Sequence, residues 1–483
     1  MKLSILHIAD IHRDPGNPIR TKPLFDSLER DRQRFTSEEK TPSIRPPDII
    51  VVSGDVIHGV KSNSTNADDE LAKQYGEALR FLNQLAERFV DGDKRKIVVV
   101  PGNHDVSAFH FEQSLQELPI VEDRKKKFVS QLFSQNSALR WSWPNFKLYQ
   151  ITDYEMYNKR LSAFSQFYKE FYEDERAYDL EPARQYDIFD YPELNVTFVA
   201  FNSCYNNDIF NKQGAIHPDC IANASEKLHL SLYQDRLRIA VWHHNTEGLP
   251  MEVDYMAPDT IQNLIDRGFS LGLHGHRHKP QFIDRRFQYG GERKIITISA
   301  GTLCGGAAFR FRRAYNVIEL DLDELKGRLH LREMQNDALD LPIWGKGALP
   351  PNISSFMEFS FDPPPEPLVR SSTDTLSLVR AQKLYDEKRY DEAAIIFKSL
   401  TDSDDLARRF LLDCYGKSND SAAIVADFDP PQSNTEIISL MDALWTEGKQ
   451  DRLRDLLNES IVADSLDPSI IEIRNKYIAR LKI

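Results

Sequence analysis

The chain has 483 residues, of which 41% are hydrophobic, 28% charged and 10% aromatic, and its formal net charge is -13. This composition excludes a disordered or fibrous protein and is typical of a globular one. The length predicts two or three domains. The negative charge excludes nucleic-acid binding over the whole surface, so any binding of phosphate must be local.

The cysteines at positions 204, 220, 304 and 414 form no CxxC pair, which favours thiols in a reducing compartment over disulfides or a zinc site. The first residues, MKLSILHIADIH, are interrupted by His7 and Asp10 and do not resemble a secretory signal. No stretch approaches the roughly 20 apolar residues that a membrane span needs. We therefore expect a soluble, cytoplasmic protein with no membrane partner.

Short apolar runs rich in Val and Ile recur along the chain, and most end in a polar turn. Such runs predict buried strands. Segments with a helical period lie between them, at 68–89 and 258–268. This alternation predicts an α/β domain over residues 1–340, with sheets covered by helices. The runs are KLSILHIADIH, DIIVVSGDVIHG, KIVVVPGNHD, VTFVAFNSC, RIAVWHHN, FSLGLHGHRH and KIITISAGT.

Residues 106–190 do not continue this alternation of strands and helices. Segments such as NKRLSAFSQFYKEFYEDER predict a long, mostly helical insertion between two strands. The insertion is either a cap over a functional site or a solvated helical excursion with a charged outer face. The sequence favours neither interpretation.

The composition of the sequence changes again near residue 341. Residues 341–371 are rich in proline and have no helical period, which predicts a linker or an extended arm. Residues 372–483 predict an all-helical domain. Within it, residues 381–400 resemble one tetratricopeptide unit, and residues 441–457 resemble a weaker second one. A plain helical bundle is the alternative.

Eight of the thirteen histidines fall at or just past the ends of predicted strands. Side chains at equivalent strand ends converge in layered α/β folds, where loops usually carry the active site. In an extended D-x-H or H-x-H segment, both polar side chains point to one side and can share an ion. The converging candidates are Asp10, His12, Asp55, Asn103, His104, His243 or His244, His276 and His278.

This set of side chains predicts a metal centre. Imidazoles, carboxylates and an amide oxygen without a thiolate suit manganese, iron, zinc or cobalt. Six or seven ligands exceed what one ion takes from a protein, so we expect two divalent ions close together. Manganese is the expected metal, and Asp55, with two carboxylate oxygens, is the natural bridge.

The motifs D-x-H, G-D, G-N-H-D, an isolated His and G-H-x-H occur in this order over roughly residues 1–335. They resemble those of the calcineurin-like metallophosphoesterase superfamily. The resemblance implies a two-sheet sandwich flanked by helices and a metal-dependent phosphoric ester hydrolase. It also implies two metal sites, of which one is formed by Asp10, His12, Asp55 and His278, and the other by Asn103, His243 and His276 with Asp55 shared.

Two positions remain to be decided within this resemblance. The family usually follows its isolated histidine with any residue and then proline or glycine, which favours His243 over His244, although Asn245 stands where proline is common. His104, next to a ligand, is the candidate to stabilise or protonate the leaving oxygen.

His58 bears on the class of substrate. In the protein-phosphatase branch of the superfamily, an aspartate stands three residues after the bridging aspartate. Here His58 stands in that place, which resembles the double-strand-break repair nuclease branch and favours phosphodiester cleavage. The alternative is that His58 merely caps the turn.

Residues 271–315 carry nine Lys or Arg side chains against two acidic ones. In FRFRRAY, basic and aromatic residues alternate, as on a surface that holds phosphates and stacks bases. Arg310 and Arg312 are therefore candidate substrate-binding residues. An edge strand with one solvated basic face explains the pattern equally well.

The sequence favours hydrolysis of a phosphodiester in a nucleotide or nucleic acid, with a nuclease as the leading subtype. A cyclic-nucleotide phosphodiesterase or a phosphomonoesterase shares the same motifs. In a further alternative, the chain is a catalytically silent scaffold whose helical tail docks partners. The tail is expected to recruit a protein partner in either case, because tetratricopeptide-like hairpins present grooves for peptides.

Overall fold

The computed structural model of the protein describes the chain apart from residues 18, 38–41, 120–124, 133–136, 229–232, 234, 249–253, 286–292, 308–310, 337, 350–353, 366–371, 402–404, 466 and 482–483. The chain divides into two compact units, Met1–Pro367 and Leu368–Ile483.

The strands among the described residues all belong to the first unit. In chain order they are β1 (Lys2–Ile8), β2 (Ile49–Ser53), β3 (Ile97–Val100), β4 (Leu115–Leu118), β5 (Leu139–Ser142), β6 (Lys147–Ile151), β7 (Tyr186–Tyr191), β8 (Val196–Phe201), β9 (Leu237–Val241), β10 (Leu271–His274), β11 (Gln281–Arg285), β12 (Ile295–Ser299), β13 (Ala314–Asp321), β14 (Lys326–Met334), β15 (Trp344–Lys346) and β16 (Phe356–Ser360).

The helices are distributed over both units. In chain order they are α1 (Thr21–Ser37), α2 (Ala67–Phe89), α3 (Ala108–Gln113), α4 (Lys125–Leu132), α5 (Tyr154–Asn158), α6 (Ser162–Phe171), α7 (Pro218–Leu228), α8 (Pro258–Asp266), α9 (Ser372–Asp386), α10 (Tyr390–Lys398), α11 (Asp405–Ser418), α12 (Ser421–Asp427), α13 (Asn434–Thr446), α14 (Gln450–Asn458), α15 (Ser460–Ala463) and α16 (Pro468–Leu481).

Two large sheets form the centre of the first unit. The strand order is β15-β14-β13-β1-β2-β3 in one sheet, with β16 also paired to β14, and β11-β12-β10-β9-β8-β7 in the other. Side chains from both sheets, including Val51, Val99, Ile239 and Leu273, belong to one buried apolar cluster. The sheets therefore share a core between them, and the predicted α/β fold with helices is confirmed.

Each sheet contains a group of parallel strands. β1, β2 and β3 are parallel neighbours in the first sheet, as are β8, β9, β10 and β12 in the second. Their residues are almost all buried, which explains continuous apolar runs such as IIVVS. Because parallel neighbours end at the same edge, the loops that follow these strands leave the sheets close together.

The predicted helical insertion contains α3 to α6 and also a small antiparallel sheet of order β4-β6-β5. These strands are four or five residues long and partly exposed, as in LQEL and KLYQI. Apolar patterns this short do not distinguish a strand from a loop. The sheet was therefore not predictable from local sequence.

Two buried arginines tie this insertion to the segment that follows β8. Arg140 donates from Nε to Asp208 Oδ2 at 2.6 Å, and both side chains are buried. The buried guanidinium of Arg160 donates to the carbonyl oxygens of Asn207 and Tyr205. The insertion is therefore joined to the segment 205–208 by charge-assisted hydrogen bonds.

The segment expected to be a linker is partly strand. β15 and β16 both pair antiparallel with β14, with Met357 opposite Leu329. Both strands pair with the same neighbour, β14, and the prolines that flank them conceal this pairing in the sequence. The division of the chain into two units falls between Pro367 and Leu368, near the end of that segment.

The second unit is all-helical in its described part, as predicted. Its core includes Ala381, Phe397, Leu411, Leu440 and Tyr477. Helices that follow one another in sequence contact one another, from α9 through α14. This arrangement suits either a bundle or stacked helical hairpins, and the tetratricopeptide-like character stays a prediction. Among the described helices of the protein, none combines the length and apolar character needed to cross a membrane.

The Arg140–Asp208 ion pair allows a test of whether it stabilises the insertion against the rest of the domain. In Arg140→Met, Asp208 is left buried without its cation, and we expect the local stability of β5 and β6 to fall by about 3 kcal/mol. Hydrogen–deuterium exchange of peptides covering 139–151 measures this loss. The double variant R140M/D208N, in which both charges of this pair are removed, should recover most of it.

Lys147→Met provides the matched control on the same sheet, because its ion pair with Glu117 is exposed. We expect exchange in this variant to match that of the wild type. Equal protection in R140M and K147M would contradict the role given to the buried pair.

Candidate metal centre

Polar side chains from both sheets meet where the parallel strands end. Asp10 follows β1, Asp55 follows β2 and Asn103 follows β3. His243 follows β9, and His276 follows β10 in the neighbouring position of the second sheet. The strand ends are held together by backbone hydrogen bonds, for example from Asp10 N to Gly54 O at 3.1 Å and from Gly275 N to His243 O at 3.0 Å.

Asp10, His12, Asp55 and His278 form the first group of potential ligands. One ligand atom of each side chain lies within 4.8 Å of the others. His12 Nε2 is 3.1 Å from His278 Nε2 and 3.7 Å from Asp55 Oδ2. His278 Nε2 is 3.4 Å from Asp10 Oδ1. These four side chains can therefore hold one ion.

Asn103, His243 and His276 form a second group beside the first. Asn103 Oδ1 is 3.0 Å from His243 Nε2 and 2.9 Å from His276 Nδ1. His243 Nε2 is also 3.3 Å from Asp55 Oδ1. Since its other oxygen faces His12, the Asp55 carboxylate lies between the two groups.

Hydrogen bonds on the outer side of the imidazoles set their tautomers. His243 Nδ1 donates to Ser53 O at 2.8 Å, and His278 Nδ1 donates to Gly306 O at 2.5 Å. In the neutral rings, each Nε2 therefore presents a lone pair to the centre. Such outer partners fix ring orientation and raise the basicity of a metal ligand.

The backbone at the centre is unusual. Five of the residues brought together here have positive φ angles between 41° and 79°, although none is glycine. L-residues rarely adopt this region, and it costs about 1–3 kcal/mol per residue. The surrounding sheet ends must therefore compensate for the strain. The residues are Asp10, His12, Asp55, His276 and His278.

The electrostatics of the centre favour positive charge. Burial opposes ionisation of Asp55, but His243 and His104 hold its pKa well below the usual value. Burial likewise opposes protonation of His243, yet the Asp55 carboxylate raises the pKa of that ring to about 9. Burial lowers the pKa of His12 to about 4, so this ring is neutral at neutral pH, as a metal ligand must be.

Three buried polar atoms of the candidate ligands lack a hydrogen-bond partner among the described residues. These atoms are Asp10 Oδ1, His12 Nδ1 and His276 Nε2. Buried polar groups are nearly always satisfied, so an orphaned carboxylate oxygen beside imidazole lone pairs fits a ligand of a cation. The donor set of carboxylates, neutral imidazoles and an amide oxygen suits divalent transition metals.

His104 and His58 lie beside the first group. The His104 ring centroid is 4.7 Å from that of His12, and the His58 ring is 6.1 Å from His12 and 5.9 Å from His104. His104 Nδ1 donates to the backbone oxygen of His58 at 2.6 Å. The opposite ring nitrogen, Nε2, is 4.0 Å from Asp55 Oδ2.

The neighbouring histidine, His244, has other partners. Its Nδ1 is 2.9 Å from Ser203 Oγ, and its Nε2 accepts from Asn207 Nδ2 at 3.3 Å. Burial lowers its pKa well below the usual value. Both ring nitrogens of His244 are therefore engaged away from Asp55.

The two predicted substrate-binding arginines are not brought to this centre. Arg310 lies outside the described residues. Arg312 is exposed, and its guanidinium donates to Gln335 O at 3.3 Å, just beyond β14.

The model of the calcineurin-like phosphoesterase family matches residues 3–280, which is more than half of the chain. The chain belongs to this family. It is therefore a metal-dependent phosphoester hydrolase of the dinuclear type, and the four residues Asp10, His12, Asp55 and His278 form a candidate metal site.

Solved structures of phosphoesterases are similar to this family member at low identity. A dimetal phosphatase from Danio rerio is 11% identical, with 73% of this chain and 99% of that chain covered and a TM-score of 0.36. The calcineurin-like phosphoesterase YfkN from Bacillus subtilis is also 11% identical, with 75% and 90% covered and a TM-score of 0.28. At these scores the solved structures add nothing to the assignment. No curated relative matches the sequence.

Asp105 supports the phosphoesterase centre although no role was predicted for it. Its Oδ2 accepts from Gly102 N at 2.8 Å and from Val56 N at 3.1 Å, and its Oδ1 accepts from the Tyr75 hydroxyl at 3.1 Å. Burial, reinforced by the charge of Asp55, raises its pKa to about 7. The carboxyl group thus joins the loops after β2 and β3. The sequence signal that could have indicated this role is the position of Asp105 as the last residue of the GNHD motif.

Two glycines allow the loops to approach one another. A Cβ on Gly54, which has a φ of 92°, would lie 2.3 Å from His243 Nδ1. A Cβ on Gly102 would lie 2.2 Å from the backbone nitrogen of Asp55. A side chain at either position would displace a predicted ligand, which explains the glycines in SGD and PGNHD.

The contrast between His243 and His244 gives a direct test. We expect His243→Ala to lower the bound metal from two ions to one per chain, because its Nε2 faces Asn103 and Asp55. We expect His244→Ala to keep both ions. Elemental analysis after equilibration with Mn²⁺ and desalting measures the stoichiometry. Circular dichroism of both variants checks that they are folded, and the reverse pattern of metal loss would contradict the assignment.

Proposed function

We propose that this calcineurin-like phosphoesterase hydrolyses a phosphodiester of a nucleotide or nucleic acid. The observation that carries the proposal is the imidazole of His58, three residues after Asp55, which lies near His12 and His104 at the edge of the centre. An imidazole can donate to a phosphate or leaving oxygen, whereas an ionised aspartate in that place cannot.

In this proposal two divalent ions, with manganese as the expected metal, occupy the centre. Asp10, His12, Asp55 and His278 hold one ion, and Asn103, His243 and His276 hold the other with Asp55 shared. When bound, such a pair activates water and neutralises charge on the phosphoryl oxygens. The protein supplies a fixed, largely buried set of ligands.

His104 is proposed to act on the leaving group. Hydrolysis of a diester adds one water molecule, breaks one P–O bond and leaves an oxygen that must take a proton. The bond from His104 Nδ1 to His58 O fixes the ring so that Nε2 is the second proton-carrying atom. In its protonated form, His104 can therefore donate from Nε2 to the leaving oxygen.

His58 is proposed to contact the phosphate with its ring. The turn uses the backbone carbonyl of His58, which any residue could provide, so the turn does not require an imidazole. The ring itself is exposed and lines the cavity beside the metal centre. This arrangement favours a functional role over a cap.

A catalytically silent scaffold is less well supported, because each position of the predicted ligand set holds a side chain that can bind metal. The second unit is proposed to recruit a protein partner. The cysteines are free and buried, which supports a reducing compartment such as the cytoplasm.

A panel of substrates tests the proposed function. With Mn²⁺, we expect a small phosphodiester to be hydrolysed faster than a phosphomonoester, and Asp55→Asn to be inactive on both. Cyclic nucleotides and single- and double-stranded nucleic acids complete the panel and define the subtype. Preference for the monoester would contradict the phosphodiesterase assignment.

The role of His104 predicts a dependence on the leaving group. His104→Ala should lower kcat about 100- to 1,000-fold for an alkyl leaving group, and much less for p-nitrophenolate, which leaves without a proton. The metal content should stay at the wild-type level. Unchanged turnover on the alkyl diester would remove this role from His104.

His58→Ala tests the His58 ring separately. Because the backbone carbonyl remains in this variant, any loss of turnover is due to the missing ring.

The proposed division of labour between the units is tested by deletion of residues 372–483. We expect the truncated protein to hydrolyse the small diester at the wild-type rate and to lose association with its partner. Co-purification measured with the full and truncated chains checks the second point. Loss of small-diester activity in a folded truncation would contradict the division.

A further inference from the structure

A cavity of about 760 Å³ lies directly beside the metal centre. Asn103, His104 and His276 from the centre line one part of it, and two loops form further walls. This volume is far larger than a single phosphate needs and is in the range of sites that enclose a small organic molecule. A substrate held at the metal centre would therefore extend into this space.

The first wall is the loop that follows β2. It carries His58, Val60 and Lys61 along the cavity. Gln74 in α2 holds this loop in place through both ends of its amide, which accepts from Gly59 N at 2.9 Å and donates to Gly59 O at 3.1 Å. The position of this wall is therefore set by a helix of the domain.

The second wall is the segment 207–212, which contributes Asn207, Ile209 and Lys212 to the cavity. It is held by the buried side chains of Arg140 and Arg160 from the insertion. The insertion thus shapes the cavity without lining most of it. Hydrogen bonds from buried side chains anchor both walls, and the backbone that carries Lys61 and Lys212 is therefore fixed.

Along these walls, most of the carboxylates have a cationic partner, whereas the two lysines have no anionic one among the described residues. Two of the carboxylates that line the cavity are already paired, since Asp208 accepts from Arg140 and Asp254 accepts from Arg277. Lys61 is exposed in the lining of the cavity, and it forms no ion pair among the described residues. The same holds for Lys212. Glu70 is the other acid of the lining.

We propose that Lys61 and Lys212 form an anion subsite that binds a second phosphate of the substrate. This inference rests on the proposed function. One phosphate, the diester that is cleaved, lies at the metal centre, and the organic group between the two phosphates packs against Val60 and Ile209. The substrate class is therefore a phosphodiester that carries a further phosphate, and not an isolated diester.

A matched pair of chromogenic substrates tests the subsite. Thymidine 5′-(p-nitrophenyl phosphate) contains the diester alone, and its 3′-phosphorylated form adds the second phosphate. We expect the full-length, Mn²⁺-loaded protein to show a lower KM for the 3′-phosphorylated form. Lys61→Met and Lys212→Met should each raise that KM about tenfold, as loss of a hydrogen bond to a charged group does. The kcat/KM for the unphosphorylated diester should stay within about twofold.

Lys73→Met is the control, because Lys73 is an exposed lysine of α2 that does not line the cavity. Its kinetics should match those of the wild type on both substrates. If the wild type cleaves both diesters with equal KM and the cavity variants behave like Lys73→Met, the subsite is absent while the proposed function stands. If the wild type cleaves neither, the proposed function itself fails.

An oligothymidylate strand identifies the source of the second phosphate. Competitive inhibition that weakens in Lys61→Met and Lys212→Met supports the subsite and indicates the next phosphate of a nucleic acid strand. Absence of inhibition, with the KM effects above retained, supports the subsite for a small nucleotide. Inhibition that is equal in the wild type and both variants would overturn the subsite for a strand.

Discussion

Two carboxylates, those of Asp10 and Asp55, are buried at the junction of two apolar sheets, and much of the surrounding structure compensates for this. Burial of an ionised carboxylate costs several kcal/mol unless positive charge and hydrogen bonds surround it. Here imidazoles converge on the carboxylates, and despite burial this arrangement holds the pKa of Asp55 low and the pKa of His243 high. Two divalent ions would provide the same compensation more fully.

This requirement explains several features of the centre. Five of the ligand positions adopt a left-handed backbone conformation directly after the strand ends. Gly54 and Gly102 let the loops approach until no Cβ fits between them. Asp105 then ties those loops together with three hydrogen bonds. Strain at the turns is tolerated because the parallel strands on which they stand are buried and fully paired.

The insertion illustrates how structure outside the centre acts on it. Its buried side chains Arg140 and Arg160 hold the segment 205–208, which continues into a wall of the cavity. A family centre of this kind supplies the chemistry, and the walls beside it decide which phosphoester reaches it. The wall residues Lys61 and Lys212 are accordingly where the selectivity of this chain is expected to reside.

The sequence by itself determined the family, the α/β class, the helical C-terminal region and the identity and order of the candidate ligands. It could do so because ligands must be particular residue types at strand ends, and such motifs are short and local. Only the tertiary structure decided that His243 faces Asp55 while His244 faces Ser203 and Asn207. The same is true of β16 beside β14, the sheet within the insertion, and the presence of Lys61 and Lys212 in the lining of one cavity. These features depend on contacts between residues that are distant in sequence, and such contacts leave no periodicity or spacing in any single segment.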